Sequence, residues 1–436
     1  MRPENRYYDV YPKVVPADAE TEITIRPLVA GRYFQPDAGT YQITCVPMEE
    51  LAGCGVRSGP SGQIVRPTEN VLRFRQYFEA EQEHVVILET VSGDKPETVA
   101  RFRVYSLEND LFARRPFKGD LHLHSSYSDG KESPAYVAGA CRRIGLDFMA
   151  VTDHRKYPPS LEAIEAFRNV PIDLAIYPGE EVHPPDNPVH FVNFGGRYSI
   201  NDLWAGAKEE SHKAEVRAIE AGLPDLPAGV NRRQYASCLW IFNEIRKAGG
   251  LGVFCHPYWF CPNQYTPPGP LTSLLLENQP YDALELIGGY WPHEVESNIL
   301  QVARYHEERA KGRRIPIVGA SDAHGCETGS LFGWYYSIVF SPSTRLADLI
   351  GSIKGLYSVA VEALPQETPR AFGPFRLIKY AQFLMREVFL QHDELCVEEG
   401  RLMLAHIAGD SSAAELLARL KGRAAALYDR YWGAKS

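Results

Sequence analysis

The amino-acid sequence predicts an α/β protein that carries a β-sandwich-like domain in front of it and a helical extension behind it. Three changes of pattern support this fold class. Up to about residue 116, short runs rich in β-branched and aromatic residues alternate with turn residues. Strand-like runs then alternate with amphipathic helical patterns to about residue 365, which is typical of βα units. From residue 366 to residue 436, apolar residues recur at helical spacing.

The first region, residues 1–116, resembles a β-sandwich because short strands are separated by Gly, Pro, Asp and Asn turns. Its strand candidates are Glu22–Leu28, Gly39–Val46, Gln63–Arg75, His84–Thr90 and Thr98–Tyr105. It contains one histidine, His84, and no cluster of catalytic residue types. We therefore expect a role in packing or substrate gating, and not a second active site.

The second region, residues 117–365, predicts the βα domain. Its strand candidates are Gly119–Leu123, Phe148–Val151, Leu174–Tyr177, Val189–Phe194, Leu251–Phe254, Ala283–Ile287, Ile315–Val318 and Tyr335–Phe340. Its helix candidates are Ser133–Ile144, Leu161–Asn169, Gln234–Ala248, His293–Lys311 and Leu346–Lys354. The segment 197–233 interrupts this alternation and predicts either a helical insertion or a lid over a site.

The third region, residues 366–436, predicts helices. Apolar residues run at helical spacing from Leu416 to Tyr431, and Ser412 with Glu415 predicts a capping box at the start of that helix. An amphipathic helix of this kind is typical of a packing face or an oligomer interface. A homo-oligomer would therefore form through these C-terminal helices.

The composition excludes several classes of protein. The 436 residues are 44% hydrophobic and 23% charged, which excludes a largely disordered chain. No run has the length and apolar purity of a membrane span. Lys and Arg number 46 against 55 Asp and Glu, and this acidic balance argues against nucleic-acid polymers as partners.

The N-terminus and the cysteines predict a cytoplasmic location. The first residues lack the apolar core of a secretory signal. The 8 cysteines are scattered without a CxxC pair, so we expect reduced thiols. Only Cys45 and Cys54 are close enough in sequence to suggest a disulfide.

Histidines and carboxylates recur at the ends of the predicted strands, and this is the main functional signal. In a βα architecture these ends converge on one face, so the side chains can meet there. Imidazole and carboxylate groups together predict a metal site. The residues concerned are His122, His124, Asp129, Asp153, His154, Glu181, His190, His256, Asp322 and His324.

The leading motif is GDLHLHSSYSDG at residues 119–130. His122 and His124 point to the same face of a strand because side chains repeat every second residue. Four further motifs follow along the chain: TDH at 152–154, GEE at 179–181 with a later histidine at 190, HP at 256–257, and SDAH at 321–324.

This ordered set resembles the polymerase and histidinol phosphatase (PHP) family of metallohydrolases over residues 117–340. The resemblance implies a distorted (β/α)7 barrel, a TIM-like fold, that binds two to three divalent ions at its C-terminal face. Every position at which the family places a ligand holds a residue able to coordinate. The implied ligand sets are His122, His124, Glu181 and Asp322 for the first ion, Glu181, His190 and His256 for the second, and Asp129, His154 and His324 for the third.

Three assignments within or beside these motifs need separate treatment. Glu181 is preferred to Glu180 because the family pattern is GxE and strand alternation points the two side chains to opposite faces. His183 has no counterpart in the family; of a substrate contact and a surface-loop histidine, we expect the surface-loop histidine. Asp153 either orients a ligand histidine or caps the following turn.

The resemblance implies hydrolysis. Mixed imidazole and carboxylate shells suit Zn²⁺, Mn²⁺ or Fe²⁺, and the implied reaction is in-line attack of metal-bound hydroxide on a phosphoester of a small, anionic substrate. The catalytic residues predicted from it are Glu181, Asp322 and His256. The predicted substrate contacts are Arg155, Lys156, Tyr258 and Trp259, with Lys131 and Tyr290 at the same strand ends.

Three alternatives remain open. An ester, carbamate or amide hydrolase that resembles carbaryl hydrolases fits a PHP domain behind a β-sandwich. A DNA polymerase-associated exonuclease-like module is disfavoured by the acidic charge and by the lack of a polymerase-like remainder. A non-catalytic binding protein is disfavoured because all ligand positions are filled.

Overall fold

A computed structural model describes residues 4–34, 39–49, 62–91, 96–261, 263–291, 294–327 and 331–433. Cys54 and His293, which the sequence analysis singled out, lie outside these residues. The chain divides into two compact units. The first comprises residues 1–115, 379–392 and 422–436, and the second comprises residues 116–378 and 393–421. Residues 366–436, predicted as one helical extension, are thus shared between both units.

The first unit is built mainly from strands in two sheets. The elements are α1 (Glu4–Tyr7), β1 (Tyr8–Tyr11), β2 (Val14–Pro16), β3 (Ala19–Pro27), β4 (Tyr41–Pro47), β5 (Gln63–Val65), β6 (Leu72–Phe78), β7 (Gln82–Thr90), β8 (Glu97–Leu107) and α2 (Asn109–Phe112). One sheet has the order β1-β3-β6 and the other β2-β8-β7-β4-β5. Apolar side chains from both sheets form one buried cluster, and β7 alternates buried and half-buried residues, as expected for a strand with one face on a core.

The second unit alternates strands with helices. Its strands are β9 (Arg115–Asp120), β10 (Phe148–Ala150), β11 (Ala175–Tyr177), β12 (Gly179–Val182), β13 (Phe191–Phe194), β14 (Leu251–Phe254), β15 (Trp259–Phe260), β16 (Tyr265–Thr266), β17 (Ala283–Gly288), β18 (Ile317–Ala320), β19 (Tyr335–Ser341), β20 (Ser358–Glu362) and β21 (Arg370–Phe372). Its helices are α3 (Pro134–Arg143), α4 (Pro158–Ala166), α5 (Glu209–Gly222), α6 (Arg232–Lys247), α7 (Gly269–Asn278), α8 (Val295–Ala310) and α9 (Leu346–Lys354). The strands β10, β13, β14, β17 and β18 are buried throughout, which explains why they are apolar apart from Asn193 in β13 and Glu285 in β17.

These strands form two larger sheets. One has the order β11-β10-β9-β19-β20-β21 and the other β12-β13-β14-β17-β18. Between them, pairing among the described residues continues as single bridges from Leu123 to Ala323 and from His154 to Glu181. Several neighbours, such as β12 with β13 and β13 with β14, are antiparallel. The mixed α/β class is therefore confirmed, but a full (β/α)7 barrel is not shown.

The C-terminal helices are α10 (Phe375–Glu387), α11 (Phe389–Ile407), α12 (Ala413–Leu420) and α13 (Arg423–Tyr431). The predicted capping box is wrong. Ser412 makes no capping bond to the helix; its hydroxyl donates to the Asp410 carboxylate at 2.7 Å, because Asp410 competes for it locally. In the second unit, buried Arg142 of α3 donates to Glu399 of α11 at 2.7 Å.

The segment 197–233 contains helix α5 and two short 3-10 turns, so it is largely helical. No helix in the described part of the chain combines the length and apolar character needed to cross a bilayer. No disulfide joins the seven cysteines that the structure describes.

Candidate metal centre

The nine predicted ligands lie together at one end of the second unit. The strand ends explain this, because β9, β14 and β18 each end two residues before one of these ligands, and β10 ends four residues before His154. Glu181 lies within β12, and His190 directly precedes β13. The bridge from His154 to Glu181 brings two of the motifs into direct contact.

Glu181 is at the centre of this cluster. Its carboxylate is fully buried, and its two oxygens face different imidazoles. Oε1 lies 2.9 Å from Nδ1 of His190 and 3.5 Å from Nε2 of His256. Oε2 lies 3.5 Å and 3.6 Å from Nε2 of His122 and His124. The carboxylate therefore lies between the two implied ligand sets that share it, and its Oε2 also lies 2.5 Å from Nδ1 of His154, a member of the third set.

Asp322 lies beside the same two imidazoles that face Glu181 Oε2. Its Oδ1 lies 3.2 Å from Nε2 of His122 and 2.8 Å from Nε2 of His124. The donor atoms of His122, His124, Glu181 and Asp322 lie close enough together to hold one metal ion.

A second group surrounds the Asp129 carboxylate. Its oxygens lie 3.3 Å from Nε2 of His154 and 3.3 Å from Nε2 of His324, and His124 contributes Nδ1 at 4.0 Å. These four residues also meet the spacing required to hold one ion. Asp129 is half-exposed, so this group lies nearer to solvent than Glu181.

The residues fit a divalent cation by an independent criterion. Both carboxylate oxygens of Glu181, Nε2 of His122 and Nδ1 of His190 are buried, and among the described residues none of them has a partner with hydrogen-bond geometry, although imidazole nitrogens lie as close as 2.5 Å and 2.9 Å to the Glu181 oxygens. Buried polar atoms without partners are costly and rare in folded proteins. Cations coordinated by these atoms would remove that cost, and the donor types are those of Zn²⁺, Mn²⁺ and Fe²⁺ sites.

The electrostatics agree with this chemistry. Burial raises the pKa of Glu181, but the surrounding imidazoles of His190 and His122 outweigh it and hold the pKa well below the usual range. Burial lowers the pKa of His190 to about 4. At neutral pH the Glu181 carboxylate is thus ionised, which is the state in which it binds metals. Burial alone would lower the pKa of His122, His154 and His256, but the neighbouring carboxylates outweigh it and raise all three, that of His154 to about 9, so metal binding by these rings would release protons.

Two buried residues near the centre were missed by the sequence analysis. Glu285 of β17 contacts Nδ1 of His122 with Oε2 at 3.0 Å. Asp120 accepts backbone hydrogen bonds from His122 at 3.1 Å and from Ser321 at 3.1 Å, which fastens the end of β9 to the end of β18. The available signal was a carboxylate inside an apolar strand, as in ALELIG of β17.

The prediction for His183 is wrong. Its side chain is only 12% exposed, its Nε2 lies 3.2 Å from Glu181 Oε1, and its ring stacks on His190 with centroids 3.8 Å apart. The reason is that β12 extends to Val182, so residues 181 and 183 point to the same face. Glu180 points to the opposite face, where it accepts hydrogen bonds from Ser199 and Asn201 at 2.8 Å each.

A cavity of about 290 Å³ opens onto the cluster. Trp259 is the one predicted substrate contact in its wall, with its ring 5.6 Å from that of His190. The described lining is Asp129, His154, His190, His256, Trp259, Gly289, Trp291, Glu294, Asp322, His324 and Leu331.

The other predicted substrate contacts lie outside that described lining. Arg155 and Lys131 are exposed, and the Lys156 ammonium donates to the Tyr127 carbonyl. The Tyr258 ring packs edge-on against Tyr265. Tyr290 is fully buried, and its hydroxyl donates to Gln301 at 3.1 Å.

Comparison with known proteins gives partial likenesses. No family model matches the chain. A stretch of 66 residues is 42% identical to the DNA polymerase/3'-5' exonuclease PolX of Bacillus subtilis, and covers 15% of this chain. The match spans only 10% of the length of that relative.

Two solved structures are similar over larger parts of the chain. One is a two-domain protein containing a predicted PHP-like metal-dependent phosphoesterase from Bacteroides vulgatus, with a TM-score of 0.43, 18% identity, and coverage of 63% of this chain and 70% of that chain. The other is an amidohydrolase from Chromobacterium violaceum, with a TM-score of 0.30, 20% identity, and coverage of 48% and 88%. With both TM-scores below 0.5, the likeness is limited.

Proposed function

We propose that the chain is a PHP-type metal-dependent hydrolase that cleaves phosphoesters of small molecules. One observation carries the proposal: among the described residues, neither oxygen of the buried Glu181 carboxylate has a partner with hydrogen-bond geometry, and imidazole nitrogens surround both. A buried carboxylate in such a position needs positive charge beside it, which bound metal ions would supply. The order of the five motifs supports the family, and the local likeness to a 3'-5' exonuclease is consistent with phosphoester chemistry.

In this proposal the two sheets are halves of a distorted barrel, and the ligand sets implied by the family resemblance hold two or three ions. When bound, these ions would supply Lewis-acid activation of water and of the phosphoryl group. Glu181 would hold two ions at a fixed separation, because its two oxygens face different histidines. His256 and Asp322 reach the cavity wall, so they would contact the reacting group directly.

The cavity supports a small substrate. About 290 Å³ is enough for a small phosphoester, and Trp259 offers an aromatic wall against which a ring can pack. Arg155 and Lys156 directly follow His154, which lines the cavity, and would attract an anion from solution, Lys156 after leaving the Tyr127 carbonyl. A cytoplasmic location and self-association through the C-terminal helices remain predictions, and light scattering of the purified protein tests the second.

The test is a parallel screen of metal-loaded and chelated protein. Phosphomonoesters, phosphodiesters, a single-stranded oligonucleotide, aryl esters and aryl carbamates are compared by kcat/KM. We expect a small phosphoester to be the best substrate and the chelator to abolish turnover, with Glu181→Gln as the inactive control. Faster turnover of an uncharged ester or carbamate would favour the carbaryl-type alternative, and preference for the oligonucleotide would favour the exonuclease-like one.

A further inference from the structure

Glu285 is a carboxylate in the middle of β17, a strand whose other residues are apolar or glycine. Its side chain is fully buried. Burying a carboxylate costs several kcal/mol unless hydrogen bonds compensate for the lost water. The contacts that Glu285 makes therefore indicate why it is there.

Both oxygens of Glu285 contact the metal centre. Oε2 lies 3.0 Å from Nδ1 of His122, and Oε1 accepts the backbone N–H of His256 at 3.3 Å. His256 has a backbone φ of +23°, and residues other than glycine adopt such a conformation only when the surrounding structure holds them in it. One carboxylate thus reaches two residues that belong to different ligand sets.

The contact with His122 determines which nitrogen of the ring can bind a metal. An ionised carboxylate only accepts hydrogen bonds, so Nδ1 must carry the proton that Glu285 receives. The lone pair of a neutral ring is then on Nε2. That atom faces Glu181 and Asp322 and makes no hydrogen bond.

We propose that Glu285 is a positioning residue of the metal centre, which holds His122 in the Nδ1-protonated form and fixes the backbone at His256. This inference rests on the proposed function, because it assigns a role toward the same ions. A merely structural role would predict that removing the Glu285 charge lowers the stability of the fold alone. A positioning role predicts that it also changes the metal affinity and the tautomer of His122.

The experiment compares Glu285→Gln with Glu308→Gln. Glu308 of helix α8 is an equally buried glutamate of the same unit, but it pairs with Lys311 at 2.9 Å and with Arg304 at 3.0 Å and has no described contact with the cluster. Zn²⁺ alone is the probe, titrated against a chromophoric chelator. Ring ¹⁵N shifts report the His122 tautomer, and the unfolding midpoint in chelator reports stability.

We expect Glu285→Gln to lower the affinity for at least one Zn²⁺ ion by about 10–100-fold, and to shift His122 away from the pure Nδ1-protonated form. Glu308→Gln should leave both unchanged. If Glu285→Gln keeps wild-type affinity and tautomer, the positioning role is overturned, whatever happens to stability. A wild-type protein that binds no Zn²⁺ refutes the proposed function instead, and the tautomer of the metal-free protein then decides on Glu285.

Discussion

Asp153 binds Ser125 twice: its Oδ1 accepts the Ser125 backbone N–H at 2.8 Å, and its Oδ2 accepts the Ser125 hydroxyl at 2.6 Å. It also accepts the Ser128 hydroxyl at 2.5 Å. These bonds fasten the loop that carries Asp129 to the end of β10. The sequence left two roles open for Asp153, at a ligand histidine or at the following turn, and the carboxylate instead binds this preceding loop.

We predict that Asp153→Ala weakens metal binding by the Asp129 group. The variant leaves the Ser125 and Ser128 donors without their acceptor, and each lost buried partner costs about 1–3 kcal/mol. A loosened loop should lower the affinity of the ion at Asp129 by roughly 10–100-fold. Metal content per chain and the unfolding midpoint are measured together. A lower midpoint with an unchanged metal content would show that Asp153 only stabilises the loop.

The close packing of Gly130 against His124 leads to a second prediction about the same loop. A Cβ at this position would lie 2.6 Å from the carbonyl carbon of His124, closer than real Cβ contacts. Gly130→Ala should therefore push the loop away from His124 and separate Asp129 from His154 and His324. We expect loss of one ion per chain, as for Asp129→Ala, with the remaining ions retained. Gly351→Ala, at a position with open space around it, is the control. Retention of the full metal content would mean that the loop accommodates the methyl group.

Much of the fold could be predicted because buried strands and helices have characteristic patterns of apolar residues in the sequence. The strand Leu251–Phe254 and the helix Leu346–Lys354 match the structure residue for residue. Strand β12 was missed because its sequence, GEEV, is half acidic, and only tertiary contacts stabilise two adjacent buried carboxylates. That omission also caused the wrong prediction for His183.

The candidate site was predictable where a motif is local and not where a partner comes from a distant strand. His122 and His124 are recognisable from spacing alone, whereas Glu285 contacts His122 across 163 residues. The break between the two sheets was likewise not visible, because each strand satisfies its own pattern whether or not its neighbour pairs with it. Periodicity records which face is buried, but not which strand lies beside it.

The bridging role of Glu181 predicts a contrast with Asp129. Glu181→Ala removes an oxygen from each of two ligand sets, whereas Asp129→Ala removes a carboxylate from one. We expect Asp129→Ala to lose one ion and Glu181→Ala to disturb two, with the larger loss of turnover in the second variant. Elemental analysis and kcat/KM of both variants, prepared in parallel, check this. Full metal content and full activity in Asp129→Ala would show that the third set is not a metal site.

The first unit should lose stability in mild acid through His84. Its ring is 3% exposed and its Nε2 lies 2.9 Å from the Ser106 hydroxyl. Burial lowers the pKa of His84 from 6.5 to about 4. Below pH 6.5, His84 therefore becomes protonated in the unfolded chain, whereas in the folded chain it stays neutral until about pH 4. The stabilisation is complete above pH 6.5 and is lost as the pH falls toward 4, by about 3 kcal/mol at roughly 1.4 kcal/mol per pKa unit. His84→Gln does not titrate, so its thermal midpoint should fall less than that of the wild type between pH 7 and pH 4.5. Parallel decreases in the two proteins would assign the acid sensitivity to other groups.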